Sequence, residues 1–89
     1  MSAETPTIFV GKKPIGRYVY ACKKASETSK TIKIVARGVL ISQAVAIAEI
    51  FRSKIPNSTY EAEIGSIEAI NRIGRNVFVS TMSITIHLP

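Results

Sequence analysis

The sequence predicts an α/β sandwich, an α+β arrangement in which two helices pack on one side of a mixed four-stranded sheet in the order βαβαββ. Three observations predict it. Short segments rich in β-branched or alternating apolar residues, typical of strands, occur at 7–10, 31–37, 59–70 and 77–88. Two segments with apolar residues at helical spacing, 14–25 and 39–54, follow the first two strands. The last two strands are separated only by a short turn, which predicts a hairpin.

The 89 residues suffice for one domain with a modest core, spanning 1–89, and a partner subunit is expected to add stability. Residues 1–6 are predicted to form a loose tail. No apolar run approaches the ~18 residues that span a bilayer, and no secretory leader precedes the first strand. We therefore expect a cytoplasmic protein without a membrane partner. The single cysteine, Cys22, cannot form an internal disulfide and is predicted to be a buried, inert thiol.

The first strand is predicted to end at Gly11, which allows a tight turn. Pro14 suits the first helical position, because its missing N–H would have no partner there. Lys12 and Lys13 then lie beside the free amides of a helix N-terminus, where phosphate binds well. The pair is predicted to bind an anion; the alternative is two solvated turn residues.

The second strand has one buried face, formed by Ile32, Ile34 and Ala36, and Gly38 ends it. The helix that follows is apolar nearly all round, which indicates that it covers more than its own sheet. We expect a dimer interface on this helix; the alternative is a core helix enclosed within the chain.

The hairpin of 59–70 and 77–88 is predicted to bend or bulge at Gly65-Ser66, where the apolar alternation slips. Its tip carries Arg72 and Arg75 beside Asn71. Long strands could hold these arginines in a minor groove, whose narrow width favours arginine. The alternative is an ordinary solvated hairpin.

Charge indicates the kind of partner. The chain has a net charge of +6 and no aspartate; residues 12–37 hold eight basic residues and one glutamate, whereas 38–70 carry a net −2. Such concentrated positive charge favours a polyanion, chiefly nucleic acid. A membrane surface is the weaker alternative, because no basic helix has a broad apolar face left for lipid.

Catalysis is not expected. The chain offers one histidine, His87, and one thiol, and it lacks a P-loop, a nucleotide-binding glycine fingerprint and zinc-ligand spacing. Glu61 and Glu63 share a strand face that is better explained as solvated than as a metal site. We therefore predict no enzyme activity, no metal and no cofactor.

If the two βα units are parallel neighbours, their turns emerge at the same edge of the sheet. Lys12, Lys13 and Arg37 would then form one patch, with Lys33 behind Arg37. Tyr18 and Tyr20 are the only candidates for stacking on bases, and Tyr18 is predicted to lie in the core. Phosphate contacts should therefore dominate, with little sequence preference and a steep dependence on salt.

At these residues the chain resembles a known family. The motifs IFVGKKPI (8–15) and IVARGVLISQAV (34–45), the Gly-Arg hairpin tip and the closing strand VSTMSITI (79–86) are similar to those of the Alba family of archaeal chromatin proteins. The resemblance covers nearly the whole chain. It implies a fold like the C-terminal domain of translation initiation factor three, assembled as a dimer whose body lies on duplex DNA and whose arms reach toward the minor groove.

The resemblance also implies site residues. Lys12 matches a position that can be acetylated, which would bring acetylating and deacetylating enzymes as partners. Ile55 matches an apolar position used between neighbouring dimers. Val39 and Gln43 stand where family members often carry basic residues, and the chain lacks a basic C-terminal tail, as in a diverged paralogue. The predicted dimer and dimer–dimer contacts are Ile47, Ile50, Phe51 and Ile55.

We therefore expect a nucleoid protein that coats and compacts double-stranded DNA without sequence specificity. We expect it to be associated with the chromosome and to form a homodimer or a heterodimer with a paralogue. The alternatives are an RNA-binding protein, stabilising structured RNA or serving in a ribonucleoprotein, and a scaffold subunit that binds no nucleic acid. The predicted nucleic-acid-binding residues are Lys12, Lys13, Arg17, Lys33, Arg37, Gly38, Gln43, Asn71, Arg72 and Arg75.

Overall fold

A computed structural model describes residues 5–89. Most of the tail predicted for residues 1–6 lies outside the described residues. The prediction is wrong for Pro6, whose carbonyl accepts a hydrogen bond of 2.9 Å from the Lys33 N–H. The chain is thus attached to the sheet one residue before the first strand begins.

The elements follow the predicted βαβαββ order. They are β1 (Thr7–Phe9), α1 (Ile15–Ser26), β2 (Thr31–Arg37), a 3-10 turn (Gly38–Leu40), α2 (Ile41–Ser53), β3 (Thr59–Ile70) and β4 (Asn76–His87). The start of α2 is later than predicted, because the chain leaving Gly38 first makes the tighter turn. Pro14 precedes the first helical residue of α1, with an extended ψ of 146°. An extended ψ is usual for the N-cap residue, which immediately precedes the first helical residue.

The sheet is mixed, with the strand order β1-β2-β4-β3. β1 runs parallel to β2, whereas β4 pairs antiparallel with both β2 and β3. Burial alternates along β2, so one face of the sheet lies under the two helices and the other face is open. This confirms the predicted arrangement of two helices on a mixed four-stranded sheet. The side opposite the helices is called the open face below.

The core lies between the helices and the centre of the sheet. Ile32 and Ile34 of β2 sit directly opposite Ile86 and Ile84 of β4. Phe51 of α2 is the largest side chain packed over them, with 1% of its surface exposed. Because truncating such a residue removes buried area and leaves a cavity, Phe51→Ala would cost roughly 3–5 kcal/mol of stability.

The hairpin extends past the rest of the sheet. The last residue of β2, Arg37, lies opposite Thr81, and beyond this row only β3 and β4 continue. Five further residue pairs, from Ser66–Ser80 to Ile70–Asn76, form a two-stranded arm. At the rise of an extended strand the arm protrudes about 17 Å before its turn.

No bulge interrupts this arm. The register passes without a break through Gly65–Thr81 and Ser66–Ser80, so the predicted bulge is wrong. β3 is exposed on both sides of this row, whereas β4 becomes buried only after the hairpin enters the body of the domain. The unbroken register excludes an inserted residue at this row, and the bend stays a prediction.

Candidate nucleic-acid interface

The two predicted basic turns lie side by side. β1 and β2 are parallel and in register, with Phe9 beside Val35, so both strands end at the same end of the sheet. The segment Gly11–Pro14 follows β1, and Arg37–Gly38 closes β2. The hairpin arm protrudes past this same end, because its tip lies beyond the row that contains Arg37. We call this end, carrying Lys12, Lys13, Arg37, Arg72 and Arg75, the basic end.

A tyrosine from the core holds the first basic turn. The Tyr18 hydroxyl accepts hydrogen bonds from the backbone N–H groups of Gly11 (2.8 Å) and Lys13 (3.1 Å). The hydroxyl approaches so closely that a Cβ at Gly11 would lie 3.2 Å from it. Lys12 is exposed between these two anchored residues, so its ammonium is presented by a fixed backbone. Sequence reasoning placed Tyr18 in the core and did not detect this second role.

The first turn of α1 adds to the same end. Pro14 lacks an N–H and its carbonyl accepts a hydrogen bond from Arg17, which is exposed. No side chain caps this helix, and no acidic residue lies in its first turn. Its N-terminal amides and partial positive charge therefore favour an anion, as Lys12 and Lys13 do.

The second basic turn depends on Gly38. Its φ of +60° is in the left-handed region, where a side chain would be strained, and this conformation turns the chain from β2 into the 3-10 turn. Arg37 is exposed on the strand side of the turn. Val39 is 91% exposed on the other side, where a basic residue would extend the positive surface.

Two of the predicted nucleic-acid-binding residues, Lys33 and Gln43, lie outside the basic end. Lys33 lies on the open face four residues before Arg37, about 13 Å along the strand, so it does not join the basic end. Gln43 is half-buried in the first turn of α2, and its Oε1 atom is enclosed without a hydrogen-bond partner. Its amide oxygen is therefore not presented to a ligand in this conformation.

Asn71 shapes the tip of the arm. Its Oδ1 atom accepts hydrogen bonds from the backbone N–H groups of Ile73 and Arg75, each at 3.0 Å. Gly74 completes the turn with a φ of +79°. Asn71 thus holds the loop from which Arg72 and Arg75 are exposed, and this positioning role was not foreseen from the sequence.

The positive charge of the basic end is not neutralised by the described part of the chain. Within residues 5–89 the ion pairs are Lys24–Glu27 and Arg52–Glu49, and the His87 imidazole lies 2.7 Å from the Glu61 carboxylate. None of them involves a cation of the basic end. Cations that have no carboxylate within 4.0 Å remain available to phosphate groups. The positive potentials of these cations add together over the surface of the basic end.

The dimer contacts predicted on α2 divide into two classes. Ile47 and Phe51 are enclosed in the chain's own core, so they have no surface left for a partner and these two predictions are wrong. Ile50 is 41% exposed and Ile55 is half-buried at the surface. The helix is apolar on several sides because it packs on α1 as well as on the sheet.

An apolar surface nevertheless remains beside α2. β3 has no buried residue, and its helix side carries Tyr60 and Ile64, with Tyr60 beside Val45 of α2. The Arg52 guanidinium lies 4.3 Å from the centre of the Tyr60 ring at the rim of this surface. We call Val45, Tyr60 and Ile64 the apolar strip. An exposed strip of this kind is typical of a protein–protein contact.

Two further kinds of site would bear on function within residues 5–89: a metal-binding cluster and a membrane-spanning helix. This part of the chain contains no group of three His, Cys or acidic side chains placed to bind a metal ion. No helix within it has the length and hydropathy required to cross a membrane. Burial raises the pKa of the Cys22 thiol to about 11, so the thiol is protonated at neutral pH.

Comparison with known proteins gives a consistent picture. The model of the Alba family matches residues 6–68. "DNA/RNA-binding protein Alba" of Nitrosopumilus maritimus (strain SCM1) is 38% identical over 90 residues, covering 97% of this chain and 95% of that protein. The solved structure of Alba from Thermoplasma volcanium superposes with a TM-score of 0.82 at 38% identity, covering 91% of this chain and 98% of the other.

A more distant structure shares the fold alone. ALBA1 from Trypanosoma brucei has a TM-score of 0.71 at 16% identity, covering 98% of this chain and 72% of that one. The family match over most of the chain and the relatives above 30% identity confirm the resemblance seen in the motifs. This chain belongs to the Alba family.

Proposed function

We propose that this chain is a chromatin protein that binds double-stranded DNA without sequence preference and coats and compacts it as a dimer, in the cytoplasm on the chromosome. The observation that carries the proposal is the meeting of three basic elements at one end of the sheet: the Gly11–Pro14 turn, Arg37 with Gly38, and the arm. The names of the relatives, DNA/RNA-binding proteins, support it.

The geometry suits phosphate contacts more than base reading. Lys12, Lys13 and Arg37 occupy turns on the body of the domain, where they can meet phosphates along one side of a duplex. The arm is narrow and about 17 Å long, so it can carry Arg72 and Arg75 past the backbone toward a minor groove. Contacts of this type position a protein on DNA and carry little sequence information.

A dimer would present two basic ends to one duplex. The second copy is expected to pack its apolar strip against the same strip, because a twofold contact must be self-complementary. Burying Tyr60 and Ile64 would also remove apolar area that the single chain leaves in water. A paralogue with the same strip could replace the second copy and form a heterodimer.

Lys12 is the position at which binding could be regulated. Acetylation would remove one positive charge from an exposed side chain held between two anchored residues. An acetylating enzyme would reach it in free protein, and a deacetylating enzyme would restore the charge. The backbone of the turn would be unaffected, because Tyr18 bonds the N–H groups of its neighbours.

RNA is the alternative ligand, because the relatives are named for both nucleic acids. The deciding experiment is a side-by-side titration of duplex DNA, duplex RNA and single strands at several salt concentrations. We expect duplex DNA to bind most tightly, with an affinity that falls by about 0.9 log units per phosphate contact for each log unit of salt. Tighter binding of duplex RNA would favour a ribonucleoprotein role, and absence of binding to all three would favour a scaffold subunit.

A further inference from the structure

The open face of the sheet carries an aromatic ring that the proposed duplex contact does not use. Phe9 of β1 is 73% exposed, and its register partner Val35 places it on the side opposite the helices. A groove of about 420 Å³ runs beside it toward the arm, lined in part by Arg37, Thr81 and Ile67. Because most of its surface faces solvent, Phe9 adds little to the packing of the described chain.

We propose that this groove binds an unpaired nucleobase of a single strand, stacked on Phe9, with the adjoining phosphates held by Arg37 and Lys33. The inference rests on the proposed function to the extent that the ligand is nucleic acid. It assigns a second site, on the open face, that shares Arg37 with the basic end but takes a single strand and not duplex DNA as its ligand. An aromatic ring beside cations is the arrangement by which sheets bind single strands, because every base has a π-face.

Spacing on the sheet supports this occupant. Arg37 lies on the strand next to Phe9 and two residues beyond its register partner, about 8 Å away by strand geometry. Lys33 lies the same distance on the other side of that partner. Both cations are long enough to reach a phosphate attached to a base on the ring, so the chain of phosphates would run along β2.

The shape of the groove also favours a flat ligand. Gly65 lies opposite Thr81 on the open face and contributes no side chain, so the groove stays open between Arg37 and Ile67. Ile67, which pairs with Val79 at the start of the arm, lines the groove on the side of the arm. A base entering from the β1 edge would find a ring beneath it and apolar contacts ahead of it.

Charge on the face orients the strand. The cations are on β2, whereas Glu61 and Glu63 lie on the open face of β3 at the far edge. Phosphates are therefore attracted to the β1–β2 side and repelled from β3. A second copy of this chain fits less well, because a twofold contact centred on this groove would bring Arg37 near its own equivalent.

The test uses the full-length protein and labelled oligonucleotides of about twelve nucleotides, a length within the usual range of single-strand sites. Single-stranded DNA, single-stranded RNA and duplex DNA are titrated with wild type, Phe9→Ala and Phe9→Leu. A central 2-aminopurine in each single strand reports stacking by loss of fluorescence. Tyr20→Ala is the control, since Tyr20 is 62% exposed on α1, in the layer on the opposite side of the sheet.

We expect Phe9→Ala to weaken single-strand binding by about 5-fold to 100-fold and to abolish the quenching, with duplex affinity within about 2-fold of wild type. Phe9→Leu, which keeps apolar bulk but removes the ring, should lose the quenching too. The ratio of DNA to RNA affinity will show whether a 2′-hydroxyl contributes to the site.

Single-strand affinity and quenching that are unchanged in Phe9→Ala would overturn the inference while leaving the duplex proposal intact. A change of oligomeric state in Phe9→Ala without loss of quenching would also overturn it, in favour of a contact between copies. If wild type binds no nucleic acid of any kind, the proposed function itself fails, and this outcome is distinct from the other two.

Discussion

The hydroxyl of Tyr18 accepts a hydrogen bond from the Gly11 N–H at 2.8 Å, and this bond ties the basic turn to the core. The tyrosine ring is 8% exposed and packs in the core cluster. The position of the Lys12 backbone therefore depends on core packing as well as on the local turn. This coupling leads to the first prediction.

Tyr18→Phe should loosen the turn without emptying the core. The variant loses two hydrogen bonds, each worth about 0.5–1.5 kcal/mol net, and keeps the ring. We expect the free energy of unfolding to fall by about 1–3 kcal/mol and duplex affinity to fall as well, measured by denaturant titration and DNA titration. Tyr20→Phe, which removes an exposed hydroxyl on the same helix, should change neither quantity. A Tyr18→Phe protein as stable as wild type would contradict the assigned role.

The double variant Lys12→Ala, Lys13→Ala should weaken duplex binding and flatten its salt dependence. Loss of two phosphate contacts would reduce the slope of log affinity against log salt by about 1.8. The matched control is Lys23→Ala, Lys24→Ala, which removes the same charge from the last turn of α1, at the opposite end of the helix. Equal slopes in the two variants would show that only net charge matters, and not the basic end.

Arg72→Ala with Arg75→Ala should weaken duplex binding but leave self-association unchanged. Both residues lie at the tip of the arm, about 17 Å beyond the body, and Asn71 still closes the turn through backbone N–H groups. Titration against duplexes with narrow and wide minor grooves should show the larger loss for the narrow groove. An equal loss for both duplexes would place the arm outside the groove.

Ile64→Glu should separate the proposed dimer without unfolding the chain. Ile64 is 81% exposed in the single chain, so the substitution costs the monomer little, whereas in a self-complementary contact it would bury two carboxylates. Sedimentation should show a dimer for wild type and a monomer for the variant at micromolar concentration. Thr28→Glu, an exposed change after α1, is the control. A wild-type protein that is monomeric at this concentration would remove the apolar strip as an interface.

Cys22 should be unreactive in the folded protein and should couple stability to alkaline pH. Burial raises the pKa of its thiol from 9.0 to about 11, so the folded state holds the proton more strongly than the unfolded state. Its contribution to stability is therefore complete below about pH 9 and decreases up to about pH 11, by up to about 1.4 kcal/mol per pH unit. Comparison with Cys22→Ala isolates this pH-dependent contribution to stability, because the variant lacks the thiol. Rapid thiol labelling of the native protein at neutral pH would contradict it.

Much of the fold could be read from periodicity. Alternation on 31–37 identified the buried face of β2, and Gly38 was correctly predicted to end the strand, which its positive φ now explains. For α2 the same reasoning assigned core residues to a dimer interface. The pattern showed apolar residues on several sides, and only packing could show that Ile47 and Phe51 face the chain's own core.

Phe9 shows most clearly what hydrophobic periodicity could not predict. Ile8, Phe9 and Val10 are all apolar, so a period of two cannot decide which of them faces the helices. The short strand pairs on one side only, with β2, and its register leaves Phe9 on the open face. The expectation that Tyr18 and Tyr20 were the only candidates for stacking was therefore wrong, because burial is a property of the sheet as a whole.

By itself, the sequence determined the element order, the positions of the basic residues and the glycines that allow the two turns. These are local properties, set by side-chain chemistry and allowed backbone angles. The tertiary structure decided which of those residues meet. Parallel pairing of β1 with β2 brings two distant turns to one end, and antiparallel pairing of β4 directs the arm past the same end. Strand order depends on contacts between residues far apart in the chain, which no local pattern specifies.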